Sequence, residues 1–241
     1  MLRMSRPVAV VFADAWTRPS AGDHTDDTEA VADLLRRSGP GLDVRTAGPA
    51  GDRPLREALS DPDTVLFAHP GASGDDEAAF RRLRADKGAI RRFVHGGGCY
   101  LGVCMGAFLV ERGFLNLVGL AVDEYWSRPG ADPSTPDPAL VTVRWRGAER
   151  RMYFQDGGVI RPTRRALAET EILATYADGT VAACVTRCGD GAVGVVGPHP
   201  EAPPSWFHDH GVDLPADHDH DLGIDLVDTL FRTVHGPLSP P

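Results

Sequence analysis

Hydrophobic and polar positions follow two different rules in the two halves of this 241-residue chain. In the first half, short apolar runs alternate with stretches of helical period. Residues 7–13 are Val-rich and almost unbroken, as in a strand buried on both faces. A polar loop follows at 21–27. Residues 28–38 then place Ala30, Val31, Leu34 and Leu35 at helical spacing, and Gly39-Pro40-Gly41 stops that helix. Residues 42–46 predict a second strand, 55–59 a short helix and 64–68 a third strand. The segment 75–95 reads as one long amphipathic helix with Phe80, Leu83, Ile90, Phe93 and Val94 on its inner stripe. A Gly-rich strand comes next. Such alternation predicts an α/β fold: a doubly wound, mostly parallel sheet with helices on both faces.

The second half is strand-rich. Residues 115–122, 140–145, 151–154 and 171–176 read as strands joined by turns. Residues 180–187 and 191–197 form a hairpin around Cys188-Gly189-Asp190-Gly191, so extra antiparallel strands are expected here. An amphipathic helix at 222–234 closes the pattern. The stretch 127–138, rich in Pro, Asp and Ser, is a surface loop. With no repeat and no linker, the chain reads as a single domain over 1–241.

Length and composition suit a chain that buries a full core. The formal charge of −9 argues against nucleic acid or an anionic membrane as a partner. The apolar run at 8–13 is too short for a signal core or a membrane span. Cys99, Cys104, Cys184 and Cys188 form no Cys-x-x-Cys pair and no disulfide framework, which points to free thiols in a reducing cytoplasm.

The densest chemical signal is Gly96-Gly97-Gly98-Cys99-Tyr100-Leu101-Gly102-Val103-Cys104-Met105-Gly106-Ala107. It predicts a buried strand turning sharply into a helix with Cys104 at the turn. Gly102 and Gly106 flank that cysteine at minus two and plus two, where a nucleophile elbow leaves no room for side chains. A thiol at a helix N-terminus is also biased toward thiolate. An ordinary Gly-rich turn around a buried cysteine fits the same letters. The second signal is Gly197-Pro198-His199-Pro200-Glu201, after the last strand. A cysteine nucleophile needs a base, His has the suitable proton affinity, and a carboxylate fixes the tautomer of that His. Taken alone, His-x-Glu also suits a surface loop.

With these residues in this order, the chain resembles the class I glutamine amidotransferase-like superfamily. The resemblance implies a flavodoxin-like fold with Cys104 as nucleophile, His199 as base and Glu201 as its orienting carboxylate. Pro70-Gly71-Ala72 matches the family's Pro-Gly-Gly loop, with Ala at the third position. Gly71 and Ala72 are thereby implied as backbone donors to an oxyanion, joined by the N–H of Met105. Within the superfamily the chain is similar to the domain named after the N-terminal region of some eukaryotic biotin–protein ligases. That likeness runs from about 8 to 234. It rests on the 93–107 run, Tyr153-Phe154-Gln155-Asp156-Gly157-Gly158 and the 197–201 run. It implies that Tyr153 and Gln155 border a substrate pocket, although a strand followed by a turn fits as well. It does not imply biotin ligation.

The expected activity is cysteine-dependent acyl transfer, or hydrolysis of an amide-type bond in a small-molecule or peptide-like substrate, through a thioester and without metal or cofactor. A glutaminase subunit supplying ammonia to a separate synthetase is the alternative. A non-catalytic binding or redox-sensing module is a third reading. His208-Asp209-His210 and the Asp/His alternation at 217–221 invite a metal, but their spacing suits a solvated loop better. Cys184 and Cys188 are expected as free thiols and Cys99 as a small core residue. Trp206, close after the His199 loop, is the tryptophan best placed to edge a pocket. The stretches 127–138 and 203–221 are long enough to act as lids.

Overall fold

The computed structural model describes residues 6–17, 26–39, 41–72 and 74–236. Its first half is β1 (Val8–Phe12), α1 (Asp27–Arg37), β2 (Asp43–Ala47), α2 (Leu55–Ser60), β3 (Thr64–His69), α3 (Asp76–Leu83), α4 (Lys87–His95), β4 (Cys99–Val103) and α5 (Met105–Phe108). The second half holds β5 (Leu120–Glu124), β6 (Ala139–Trp145), β7 (Ala148–Phe154), β8 (Gly158–Pro162), α6 (Arg164–Leu167), β9 (Thr170–Tyr176), β10 (Val181–Cys188), β11 (Gly191–Val196), α7 (Pro204–Asp209) and α8 (Asp221–His235).

All strands join one mixed sheet in the order β2-β1-β3-β4-β11-β10-β9-β6-β7, with β8 beside β10 and β5 beside β8. From β2 to β11 the neighbours run parallel. Beyond β11 the pairings are antiparallel, as the hairpin pattern predicts. Cys188 pairs with Gly191 at the expected turn.

The period of two along β1 divides the core. Ala9 and Val11 face one side with Val31 and Leu35 of α1 and Leu226 and Leu230 of α8. Val8, Val10 and Phe12 face the other, where α2, α3 and α4 contribute Leu55, Leu83 and Ile90. Helices therefore cover both faces of the parallel half.

Two expectations need correction. The helix expected over 75–95 is two helices, broken at 84–86. Arg56 of α2 reaches into the break, where its guanidinium bonds the Ala85 carbonyl and its Nε donates to Asp86 at 2.8 Å. The Ala85 carbonyl thus takes a side-chain donor, while the Asp86 N–H turns back to the Leu83 carbonyl at 2.8 Å. The strand expected over 115–122 is confined to Leu120–Glu124. Upstream, Leu115 and Leu117 donate back to the carbonyls of Leu109 and Val110, so their apolar side chains fill the core from a turn. The stretch 203–221 holds helix α7, which Pro204 opens at a position needing no N–H donor. The polar loop placed at 21–27 lies outside the described residues, apart from Asp26 and the first residue of α1.

Candidate active site

Cys104 sits where β4 turns into α5. Its φ of 49° and ψ of −107° lie in a region that L-residues rarely adopt. Close packing holds it there. A Cβ on Gly102 would stand 2.4 Å from the Gly106 carbonyl oxygen, and one on Gly106 would stand 2.2 Å from that of His69. Tyr100 adds a hydrogen bond from its hydroxyl to the Gly106 carbonyl at 2.8 Å. Cys104 N–H donates to Val196 of β11 at 2.9 Å. The small residues flanking the cysteine are therefore steric requirements of the bend. Gly106→Ala is expected to destabilise the fold by about 1–3 kcal/mol through overpacking, seen as a lower urea midpoint. Gly113→Ala, with no atom within 4 Å of the added methyl, should barely move it.

Register brings the second group beside the first. Val103 of β4 pairs with Val196 of β11, so the chain leaves both strands at the same edge, and His199 follows three residues after Val196. Its main-chain N–H donates to Tyr153 O at 2.9 Å. Edge-on contacts from Tyr153 at 5.9 Å and Trp206 at 5.5 Å fix its ring. The His199 Nδ1 hydrogen bonds to Glu201 Oε1 at 2.8 Å, and Glu201 is completely buried. The Cys104 sulfur interacts electrostatically with this imidazole while its thiol donates to the Gln155 carbonyl at 3.6 Å, and the buried His199 Nε2 has no hydrogen-bond partner among the described residues. Burial opposes an imidazolium here. The Glu201 carboxylate and the Cys104 sulfur outweigh it and hold His199 well above its usual range.

Cys104 and His199 line a cavity of about 890 Å³, of a size that takes a small-molecule ligand. Gly71, Ala72, Met105 and Gln155 line it too. The N–H groups of Ala72 and Met105 donate to no protein acceptor among the described residues. The Ala72 methyl packs against the apolar cluster under α2–α5, so the extra carbon at this loop position is absorbed by the core. Tyr153 is placed differently. It is buried behind His199 and does not line the cavity, and its hydroxyl meets His210 Nδ1 at 2.8 Å. Glu201 likewise stands behind the imidazole. Of the lid candidates, 127–138 contributes Ser127, Arg128 and Pro129 to the cavity wall, whereas 203–221 supplies Trp206 against His199.

Sequence reasoning missed Asp27. This first residue of α1 is 9% exposed and lines the cavity. A Cβ on Gly71 would stand 2.8 Å from Asp27 Oδ1 and 3.2 Å from His199 Cε1, so glycine at 71 lets both groups close on the loop. Burial, opposed by His199 and reinforced by Glu201 and Asp26, raises the Asp27 carboxyl to about 7. The polar stretch before α1 gave no pattern to single it out.

The other candidates lie elsewhere. Asp217 and Asp221 bind Arg150 at 2.9 and 2.7 Å, and His208 is exposed on α7. No group of three His, Cys, Asp or Glu among the described residues is arranged to hold a metal ion. All four cysteines are free and buried. Burial pushes the thiols of Cys99 and Cys184 up to about 12, far from thiolate. No helix among the described residues is long and apolar enough to cross a membrane.

No family model and no curated protein matches the chain. Solved structures do. A glutamine amidotransferase from Thermotoga maritima is similar with a TM-score of 0.53 at 14% identity, covering 96% of this chain and 91% of its own. One from Methylobacillus flagellatus is similar with a TM-score of 0.53 at 12% identity, covering 98% and 97%. A β-galactosidase from Bacillus circulans sp. alkalophilus matches with a TM-score of 0.53 at 15% identity over 98% of this chain, which spans about a third of the β-galactosidase chain (33%). At these identities the likeness concerns the backbone, and a fold alone does not assign an activity. The chain has a mixed α/β fold shared, over nearly its whole length, with two glutamine amidotransferases.

Proposed function

We propose that this chain is a single-domain member of the class I glutamine amidotransferase-like superfamily, with the doubly wound, flavodoxin-like core of that group. In this reading it breaks an amide-type bond through a thioester on Cys104. The observation that carries the reading is the juxtaposition of an elbow cysteine with a buried His199 that Glu201 holds by Nδ1, at the wall of a ligand-sized cavity. The 93–107 and 153–158 runs favour the biotin–protein ligase N-terminal type within the superfamily. Free, buried thiols suit a reducing cytoplasm.

The chemistry then runs as follows. The Cys104 thiolate attacks the carbonyl carbon, and the carbonyl π electrons move onto oxygen. The N–H groups of Met105 and the Gly71–Ala72 loop face that oxyanion; one such donor is typically worth about 10²–10³ in rate. His199, an imidazolium beside Glu201, gives its Nε2 proton to the leaving nitrogen as the C–N bond breaks. A thioester and a free amine result. Water, or another acceptor, then loses its proton to His199 and attacks the thioester, releasing the acyl product and the thiolate. Tyr153 and Trp206 position the imidazole, and Gln155 borders the substrate.

The test is intact-mass detection of an acyl adduct after incubation with a panel of small amides and peptides. An adduct on Cys104 is expected, absent in Cys104→Ala and strongly reduced in His199→Ala. Full turnover by the alanine variant at 104 overturns the proposal. A second reading, a glutaminase feeding a separate synthetase, draws on the full-length likeness to two glutamine amidotransferases. It requires hydrolysis of plain glutamine, stimulated by a partner protein.

A further inference from the structure

We infer that the molecule processed in the Cys104 cavity is a cation, bearing an ammonium or guanidinium group a few bonds from the reacting carbonyl, and that Asp27 receives that charge. The assignment depends on the catalytic reading of Cys104 and adds the substrate class to it.

Asp27 is the first of two independent observations. Its carboxylate is nine-tenths buried at the cavity wall, yet among the described residues it takes part in no ion pair and accepts no hydrogen bond from another residue. A buried carboxylate left in this state is costly, because the lost hydration has no replacement. Other buried carboxylates here are matched. Asp14 holds Arg82 at 2.7 Å, and Glu201 holds His199. Among the described residues no cation is bonded to Asp27, which lines the cavity. Its Oδ1 and the His199 ring touch the same point of the Gly71 loop, so a cation on Asp27 stands close to the scissile bond.

The charge of the remaining wall is the second observation. Asp75, Asp76, Glu124 and Asp156 line the cavity, as does Asp123, which Arg161 binds, against two cations, Arg128 and the His199 imidazolium. Arg128 already faces Asp178 at 3.5 Å. These carboxylates do not converge as metal ligands. They act as a field, and a cleft lined by one sign concentrates the opposite charge. A carboxylate- or phosphate-bearing substrate would meet repulsion along this acidic wall.

Three matched probes test this: N-acetyl aminoacyl chloromethyl ketones with the side chains of ornithine (ammonium), norleucine (a neutral isostere) and glutamate (carboxylate). Alkylation of Cys104 is followed by mass spectrometry at pH 8, above the value to which burial raises Asp27. The ornithine probe should label at least about tenfold faster than the norleucine probe, with the glutamate probe slowest. Asp27→Asn should bring the ornithine-to-norleucine ratio close to one. Because each ratio is taken within one variant, changes in folding or thiol reactivity cancel. Equal rates for ornithine and norleucine in the unmodified protein overturn the inference, as does a preference that survives Asp27→Asn; either leaves the catalytic reading standing. Labelling that is indifferent to His199→Ala overturns the catalytic reading, and the substrate class falls with it.

Discussion

Glu201→Gln is expected to leave the fold in place and to slow the proposed acyl transfer by about 10⁴-fold, the scale seen when the orienting carboxylate of a hydrolytic triad becomes its amide. Glu201 is fully buried and bonded to His199 Nδ1, so it decides which imidazole nitrogen carries a proton in the neutral ring. The carboxylate can only accept, which puts the proton on Nδ1 and leaves Nε2 free to take one. An amide can turn its NH₂ toward Nδ1. The ring proton then moves to Nε2, next to the sulfur, and the base is blocked. The charge balance changes too. Burial disfavours the imidazolium, and Glu201 is the largest influence opposing that cost. Its loss should move the His199 titration to lower pH, visible in the imidazole resonances. Unchanged single-turnover rates together with an unchanged titration would remove Glu201 from the mechanism.

Asp27→Asn is expected to stabilise the protein at neutral and alkaline pH by up to about 4 kcal/mol. The sign follows from proton binding. The folded carboxyl titrates near 7 against an ordinary value of 3.8, so between these limits the folded state holds a proton that the unfolded chain has released. Stability must then fall as pH rises through that window, by about 1.4 kcal/mol per unit, and level off above 7. The Asn variant lacks this slope. Urea unfolding of both proteins at pH 4, 6 and 8 should show near-equal stability at pH 4 and a gap that widens to pH 8. A constant gap would mean that Asp27 does not titrate in this window. A substitution at a cavity wall that strengthens the fold also marks a residue kept at a cost in stability, as functional sites commonly are.

Much of this architecture is legible in the letters because local and global signals agree. The apolar runs at β1 and β3 and the Cys188–Gly191 turn fold as their letters indicate. Gly102 and Gly106 are legible for a stronger reason, since almost no other residue fits within 2.4 Å of a carbonyl. Legibility fails where a distant partner decides. The break between α3 and α4 depends on Arg56, far away in sequence, and the turn at Leu115–Leu117 depends on main-chain acceptors at Leu109 and Val110. Asp27 was invisible for the same reason. Its environment is made by Gly71, His199 and Glu201, which no window around residue 27 contains.

The strand order has a bearing on synthesis. β4 is complete early in the chain, but its neighbour in the sheet is the last strand, β11. A ribosome-bound fragment ending between residues 104 and 190 carries the sulfur without His199, and leaves one edge of β4 unpaired. In the proposed mechanism the thiol gains its base only when the final strand slots into the middle of the sheet, a long-range closure that comes late and slowly in a folding chain. Premature termination or proteolysis thus yields pieces lacking the paired machinery, so any reactivity they retain is that of an ordinary cysteine.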